Sequence, residues 1–151
     1  MITASDIKKL RDQSGISLGE CKKALEEAGG DEAKALEILK VKGTLTAQKK
    51  SGRALGAGTI AAYVHTTKAI AAMVMLACET DFVARNDEFI SLAYNLAMHV
   101  SVTNPADTDA LLNEPFIKDE NKTVRQLIEE AVQKFGERIE VSRFVQFIVE
   151  K

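Results

Sequence analysis

The chain has 151 residues and a hydrophobic content of 46%, which is enough for one ordinary domain with or without a small appended module. Its 20 basic and 22 acidic side chains give a net charge of −2, which argues against a general nucleic-acid or membrane binder. The two cysteines are far apart, and neither a signal-peptide core nor an apolar run of membrane-spanning length occurs. We expect a cytoplasmic protein, although a processed organellar protein would have the same features.

Three short helices are predicted in the first 43 residues, each with a capping residue at its start and a glycine at its end. The start and end residues are Thr3 and Gly15, Ser17 and Gly29, and Asp31 and Gly43. Apolar residues recur at helical spacing in each segment, so we predict a three-helix bundle. The polar, basic stretch from residue 44 to 58 is predicted to be a linker, which gives two domains, residues 1–50 and 51–151.

An α+β fold is predicted for the second domain. Thr59 to His65 and Ala69 to Cys78 are rich in small and β-branched residues and predict a β-hairpin with two buried strands. Amphipathic helices are predicted from Asp87 to Val102 and from Thr123 to Gly136, and a short loop leads to the segment PFIKDEN between them. The terminal segment IEVSRFVQFIVEK predicts a third strand, so the helices would pack on one side of a small antiparallel sheet.

No catalytic or cofactor-binding motif occurs in the sequence. The phosphate-binding, dinucleotide-binding, zinc-protease and nucleophile-elbow patterns are all missing. The only soft potential metal ligands are Cys21, His65, Cys78 and His99, and none has the spacing of a zinc site. We therefore predict no catalytic residue, no cofactor and no metal site, with both cysteines buried as small hydrophobic side chains.

The stretch CETDFVARND, residues 78–87, places a large aromatic side chain directly after an acid at a predicted turn. Thr80 can cap a short helix, and Asp81 in its first turn suits the helix dipole. Phe82 then either packs into the core or stays exposed for a partner. Local features alone favour the core.

Three segments that occur in order point to a known family. They are CKKALEEAGGD (residues 21–31), CETDFVARN (78–86) and NLAMHV (95–100). Together they resemble the bacterial elongation factor Ts family over roughly residues 2–104, and the resemblance resumes at EPFIKDENKTVRQLI and in the last strand. It implies a ubiquitin-associated-like N-terminal domain, a core of the dimerisation type, and nucleotide exchange on the GTPase elongation factor Tu without chemistry of its own.

The resemblance also implies which residues contact the partner. Thr80, Asp81, Phe82 and Val83 would form the main contact, with Phe82 wedged between helices of the GTPase domain. The resulting shift would disturb the site that holds the Mg²⁺ bound with GDP. The metal ion would belong to elongation factor Tu and not to this chain.

A second contact is implied for the N-terminal domain, through Arg11 and the loop that contains Leu18 and Gly19. The family usually has an adjacent pair of methionines where this chain has Leu18 and Gly19, so only part of that apolar contact would be kept. Met75 stands in the second predicted strand where the family usually has a glutamate. A repacked or dimer-facing strand explains that change.

The chain is shorter than longer relatives between Pro105 and Pro115, where these carry a helical insertion, and often a second copy of the core. The contacts that those parts make with the partner would then be absent or supplied by a second protomer. The resemblance to short relatives with one core implies a homodimer, and the Val/Ile/Met-rich strands are its predicted interface. If the shortened core does not stimulate exchange, the alternative is a binding-only docking module. Without the resemblance, a plain interaction module would also fit, and an exposed Phe82 would favour the exchange factor over it.

Overall fold

The computed structural model describes residues 1–149 and has an α+β architecture, as predicted. The chain folds into two compact units. We call Met1–Gly52 with Glu129–Gly136 the helical unit, and Arg53–Ile128 with the segment from Glu137 onward the sheet unit. The elements in chain order are α1 (Ala4–Ser14), α2 (Leu18–Glu27), α3 (Glu32–Lys50), β1 (Ala57–Val64), β2 (Ile70–Cys78), α4 (Asp81–Ala84), α5 (Asp87–Thr103), α6 (Thr108–Asn113), β3 (Pro115–Phe116), β4 (Asp119–Thr123), α7 (Val124–Phe135) and β5 (Glu140–Ile148).

The caps predicted for the first three helices are present. Thr3 and Asp6 form a reciprocal capping box at the start of α1, with hydrogen bonds of 2.9 and 3.2 Å, and Gly15 ends this helix in the left-handed conformation. The side chains of Ser17 and Asp31 accept backbone hydrogen bonds at the starts of α2 and α3. The apolar faces of the three helices meet in a buried core made of Leu10, Ile16, Cys21, Ala24, Leu25, Ala35 and Leu39.

The third helix is longer than predicted, because α3 continues through Gly43 to Lys50. Gly43 is buried, and a methyl group in its place would lie 2.9 Å from Gln133 Oε1. The next residue, Thr44, donates a hydrogen bond of 2.7 Å to Glu129 Oε2. Gly43 is therefore a point of close packing within the helix, and the first part of the predicted linker is helical.

The sheet unit is built on three antiparallel strands in the order β1-β2-β5. The predicted hairpin is formed by β1 and β2, and the terminal strand β5 pairs with β2. Helix α5 packs against β1 and β2 and covers one face of the sheet. Buried side chains alternate along β2, as in Ala72, Val74 and Leu76, and recur at helical spacing along α5, as in Phe89, Ala93, Leu96 and Val100.

The prediction that both hairpin strands are buried is wrong for one face of the sheet. Six large apolar side chains point away from α5 and are between 37 and 65% exposed; we call them the outer sheet face. They are Ile60, Val64, Met73, Met75, Val145 and Phe147. The pairing places them together, since Ile60 lies opposite Met75, and Met73 lies opposite Val145. Composition alone suggested burial because these side chains are as apolar as those of the covered face.

The short connection after α5 is structured and not a plain loop. Helix α6 and the hairpin of β3 and β4 fill it, and the buried His99 ties them to α5. The Ile117 N–H donates to His99 Nδ1 at 3.3 Å, so the other ring nitrogen, Nε2, donates to Glu114 Oε1 at 3.0 Å. Thr103 Oγ1 donates to the same carboxylate oxygen. Within residues 1–149, no helix is long and apolar enough to cross a membrane.

Candidate partner-binding site

The candidate site is the single-turn helix α4, which connects the end of β2 to the start of α5. Thr80 caps it as predicted, because its Oγ1 accepts the Val83 N–H at 3.4 Å. Val83 and Ala84 are buried and anchor the turn in the sheet unit. The turn is thus fixed on its inner side by apolar packing and at its start by a cap.

Phe82 points away from this anchor, and 85% of its surface is exposed. Exposure of a phenylalanine to this degree is costly in water unless a partner covers it. Since Phe82 sits between an exposed Asp81 and a buried Val83, the helical turn itself decides which side chain faces out. The core position favoured by the local sequence features is therefore not the one that Phe82 occupies.

A carboxylate far along the chain fixes the start of this turn. Glu137 Oε1 accepts hydrogen bonds from the Glu79 N–H and the Thr80 N–H, both at 3.0 Å. Thr80 Oγ1 donates to Glu137 Oε2 at 2.6 Å. Glu137 was not predicted to belong to the site, and no sequence signal identifies it, because 57 residues separate it from Thr80.

The segments around Glu79 and Glu137 are linked in both directions. The Arg138 N–H donates to Glu79 Oε2 at 2.5 Å, and Arg53 Nη1 lies 3.6 Å from the same oxygen. The Arg138 guanidinium donates in turn to the Arg53 carbonyl oxygen and, at 2.6 Å, to Glu140 Oε1. A network of charged side chains therefore underlies the turn that presents Phe82.

Cys78 lies directly beneath the turn and is fully buried. Its Sγ donates to the Thr80 carbonyl oxygen at 3.2 Å. Burial, and after it the nearby Glu137 carboxylate, raise the pKa of the Cys78 thiol above its usual range. The thiol is therefore protonated and shielded at neutral pH, in agreement with its predicted role as a small buried side chain.

The other predicted contact residues belong to the helical unit. Arg11 lies in the last turn of α1, and Leu18 and Gly19 form the first turn of α2. All three are exposed, and Arg11 Nη2 lies 3.3 Å from the carboxylate of its neighbour Asp12. Leu18 is 49% exposed, so a partner can reach its side chain.

The site has the features of a protein-docking surface. It offers an exposed aromatic side chain on an anchored turn, and aromatic side chains are enriched at the centres of protein interfaces. In the part of the chain that the structure describes, no three His, Cys, Asp or Glu side chains are grouped so that they could hold a metal ion. The exposed aromatic side chain on this anchored turn is therefore the candidate binding element.

Comparison with known proteins identifies the family. The family model described as Elongation factor TS matches residues 79–151. Elongation factor Ts of Oleidesulfovibrio alaskensis is 37% identical, over 97% of this chain and 96% of the relative. Elongation factor Ts of Thermosipho melanesiensis is 39% identical, over 99% of both chains. The chain therefore belongs to the elongation factor Ts family, and its role is in the elongation stage of protein synthesis.

The relatives differ from this chain in length. The alignment with the Oleidesulfovibrio protein runs over 191 positions, against 151 residues here, so that relative has a segment without a counterpart in this chain. Elongation factor Ts of Aquifex aeolicus is 42% identical over 99% of this chain, but the match covers only 53% of the relative. The chain thus spans about half of such longer relatives.

Proposed function

We propose that this chain is a guanine nucleotide exchange factor for elongation factor Tu and that the turn Thr80–Val83 makes the contact that releases GDP. The observation that carries the proposal is the exposure of Phe82 on an anchored turn. In this role Phe82 is inserted into the GTPase, Asp81 beside it meets the partner's surface, and Thr80 caps the turn. Val83 supports Phe82 from the core, since only 5% of its surface is exposed.

An exchange factor works by binding antagonistically with the nucleotide. Its contacts must be stronger in a partner conformation that holds GDP poorly, because a ligand shifts an equilibrium only by its differential affinity for the two states. A phenylalanine suits this task because an aromatic side chain buries about 150–250 Å². At about 25 cal/mol per Å², that burial stabilises the displaced conformation by at most ~4–6 kcal/mol. Each ~1.4 kcal/mol of antagonism weakens GDP binding about tenfold.

The bound Mg²⁺ of the partner is the sensitive point in this mechanism. Mg²⁺ requires near-ideal octahedral geometry and is held jointly by phosphate oxygens and a few protein ligands. A small displacement of those ligands therefore costs much of the nucleotide affinity. This chain contributes no ligand to the metal ion in the proposed mechanism and acts only by moving the partner's residues.

The proposal predicts that the chain accelerates the release of a fluorescent GDP analogue from elongation factor Tu in Mg²⁺-containing buffer. We expect the acceleration to shrink when EDTA removes the Mg²⁺, because no metal site then remains to be disturbed. Stopped-flow fluorescence at a series of Mg²⁺ concentrations measures both effects. If the chain binds elongation factor Tu without accelerating release, the binding-only docking module is the correct description. If it does not bind, both descriptions are wrong.

The three-helix segment of residues 1–50 is proposed to be a ubiquitin-associated-like domain that makes the second contact through Arg11, Leu18 and Gly19. Their exposure supports this proposal. We expect the double replacement Arg11→Ala and Leu18→Ala to weaken binding to elongation factor Tu about tenfold, as expected for the loss of ~1.4 kcal/mol of interface contacts. Isothermal titration calorimetry measures the affinity. The control is Lys22→Ala, on the same helix α2 as Leu18, which should leave the affinity unchanged. Unchanged affinity in the double variant would remove these residues from the interface.

We further propose that the chain forms a homodimer through the outer sheet face. This face is a contiguous apolar surface, and Arg143 is the charged side chain that the pairing places beside it, opposite Met75. Two such faces match each other because sheets pack face to face through apolar side chains at a spacing of about 10 Å. A twofold arrangement makes the same patch meet itself, so no second complementary surface is needed.

A further inference from the structure

We infer that Glu137 is a positioning residue that holds the Phe82 turn in the orientation needed for insertion into a partner. Its effect on nucleotide exchange rests on the proposed function above, whereas its effect on the turn does not. The inference concerns a residue that is remote in sequence from the turn and that does not need to touch the partner.

Glu137 accepts hydrogen bonds from two backbone N–H groups that have no partner within a strand or a helix. The amides of Glu79 and Thr80 lie after the last residue of β2 and before the first residue of α4, so neither is part of the strand ladder or the helix. Glu137 Oε1 accepts both N–H groups at 3.0 Å, and its other oxygen accepts from Thr80 Oγ1 at 2.6 Å. Hydrogen bonds to an ionised carboxylate are stronger than those between neutral groups.

Glu137 is itself held in place, which makes it suitable as a fixed point. It follows Gly136, which is in the left-handed conformation after the end of α7. The N–H of its neighbour Arg138 donates a hydrogen bond to the carboxylate of Glu79, one of the two residues whose amides Glu137 binds. The two segments therefore exchange amide–carboxylate hydrogen bonds in both directions, and movement of one segment requires both to separate.

The orientation of the turn matters because Phe82 has almost no contacts of its own. With 85% of its surface exposed, its position depends on the backbone that carries it. A mobile turn would have to be ordered on binding, and this ordering would reduce the energy available for the displacement of the partner's residues. By fixing residues 79 and 80, Glu137 removes that cost before the partner is met.

The first test follows the turn without any partner, through the alkylation of Cys78. Cys78 is buried, donates to the Thr80 carbonyl oxygen and becomes accessible only when the turn opens. We expect Glu137→Ala to raise the rate of Cys78 modification by iodoacetamide at least about tenfold, which corresponds to ~1.4 kcal/mol of local stability. Peptide mass spectrometry measures this rate, and the modification of Cys21, buried in the helical unit, serves as the internal control. Because the loss of the Glu137 charge also removes one cause of the raised pKa of the Cys78 thiol, the hydrogen–deuterium exchange of the Val83 and Ala84 amides, which bond to Thr80, is measured as well and should rise by a similar factor.

The conservative replacement Glu137→Gln keeps one side-chain oxygen for the two backbone amides. We therefore expect it to restore most of the protection of Cys78, which a loss of general stability by Glu137→Ala would not predict. Glu137→Gln also serves as the test variant if Glu137→Ala does not fold. Because it restores only part of the protection, Cys78 should still be alkylated somewhat faster in Glu137→Gln than in the wild type. Glu120→Ala, which removes an exposed carboxylate in β4, should leave the rate unchanged.

The second test asks whether Glu137 acts through Phe82. In the GDP-release assay we expect Glu137→Ala to lower the acceleration about tenfold in the wild-type background and to have almost no effect in the Phe82→Ala background. Such non-additivity is the signature of two residues that act as one unit. Additive effects, or unchanged Cys78 alkylation in both Glu137 variants, would overturn the inference. If the wild type does not accelerate release, the proposed function fails, while the alkylation result still decides whether Glu137 positions the turn.

Discussion

Replacement of Phe82 by Ala is expected to reduce the acceleration of GDP release about 30-fold or more while leaving the fold intact. Truncation of a central aromatic side chain in an interface typically costs ~2 kcal/mol or more, and each ~1.4 kcal/mol corresponds to a factor of ten. The stability of the chain should hardly change, because only a small part of the Phe82 side chain is buried. Stopped-flow release of a fluorescent GDP analogue and thermal unfolding followed by circular dichroism measure the two quantities.

The matched control for Phe82→Ala is Val102→Ala, which removes another exposed apolar side chain, on α5. We expect this variant to accelerate release as the wild type does. Phe82→Leu should lie between the two, since leucine keeps an apolar contact but not the flat area of the ring. An acceleration that survives Phe82→Ala in a folded chain would contradict the proposed role of the turn.

The second large effect is expected at the outer sheet face, where Phe147→Asp should turn the proposed homodimer into a monomer. In a twofold dimer each substitution appears twice, so two carboxylates would be buried without a partner. We expect the dissociation constant of the dimer to rise at least about 100-fold, which corresponds to ~2.7 kcal/mol. Sedimentation equilibrium over a range of protein concentrations measures it.

The control for the outer sheet face is Val102→Asp, which places the same charge at an exposed site on α5. It should leave the association unchanged. A wild-type chain that sediments with the 16.5 kDa mass of one protomer at every concentration would exclude the homodimer. The two substitutions test the two proposals separately. Phe82→Ala alters the turn, whereas Phe147→Asp alters only the outer sheet face and should leave the turn intact in the monomer.

Local signals in the sequence were sufficient for most helices and strands. The helices α1 and α7 were predicted to start at Thr3 and Thr123, and these residues form reciprocal hydrogen bonds with Asp6 and Gln126 respectively. Asn104 ends α5 in the left-handed conformation, close to the predicted end. Such signals work because caps satisfy backbone groups within a few residues of themselves, so they depend little on the rest of the fold.

Two predictions failed where a distant contact overrode the local signal. Gly43 was predicted to end α3, but the helix continues through it, and the missing side chain leaves room for Gln133. Both strands of the hairpin were predicted to be buried, but the sheet has one covered face and one exposed face. Glycine and apolar residues each have more than one structural use, and only the position of their neighbours selects between them.

The sequence by itself determined the family, the α+β architecture, the absence of a catalytic motif and the cap of the turn at Thr80. The tertiary structure decided that Phe82 faces solvent, that the outer sheet face is exposed and that Glu137 holds the turn. The physical reason is the range of the interactions involved. A cap is made by residues three apart, whereas exposure and the Glu137 hydrogen bonds depend on segments that meet only after the chain has folded.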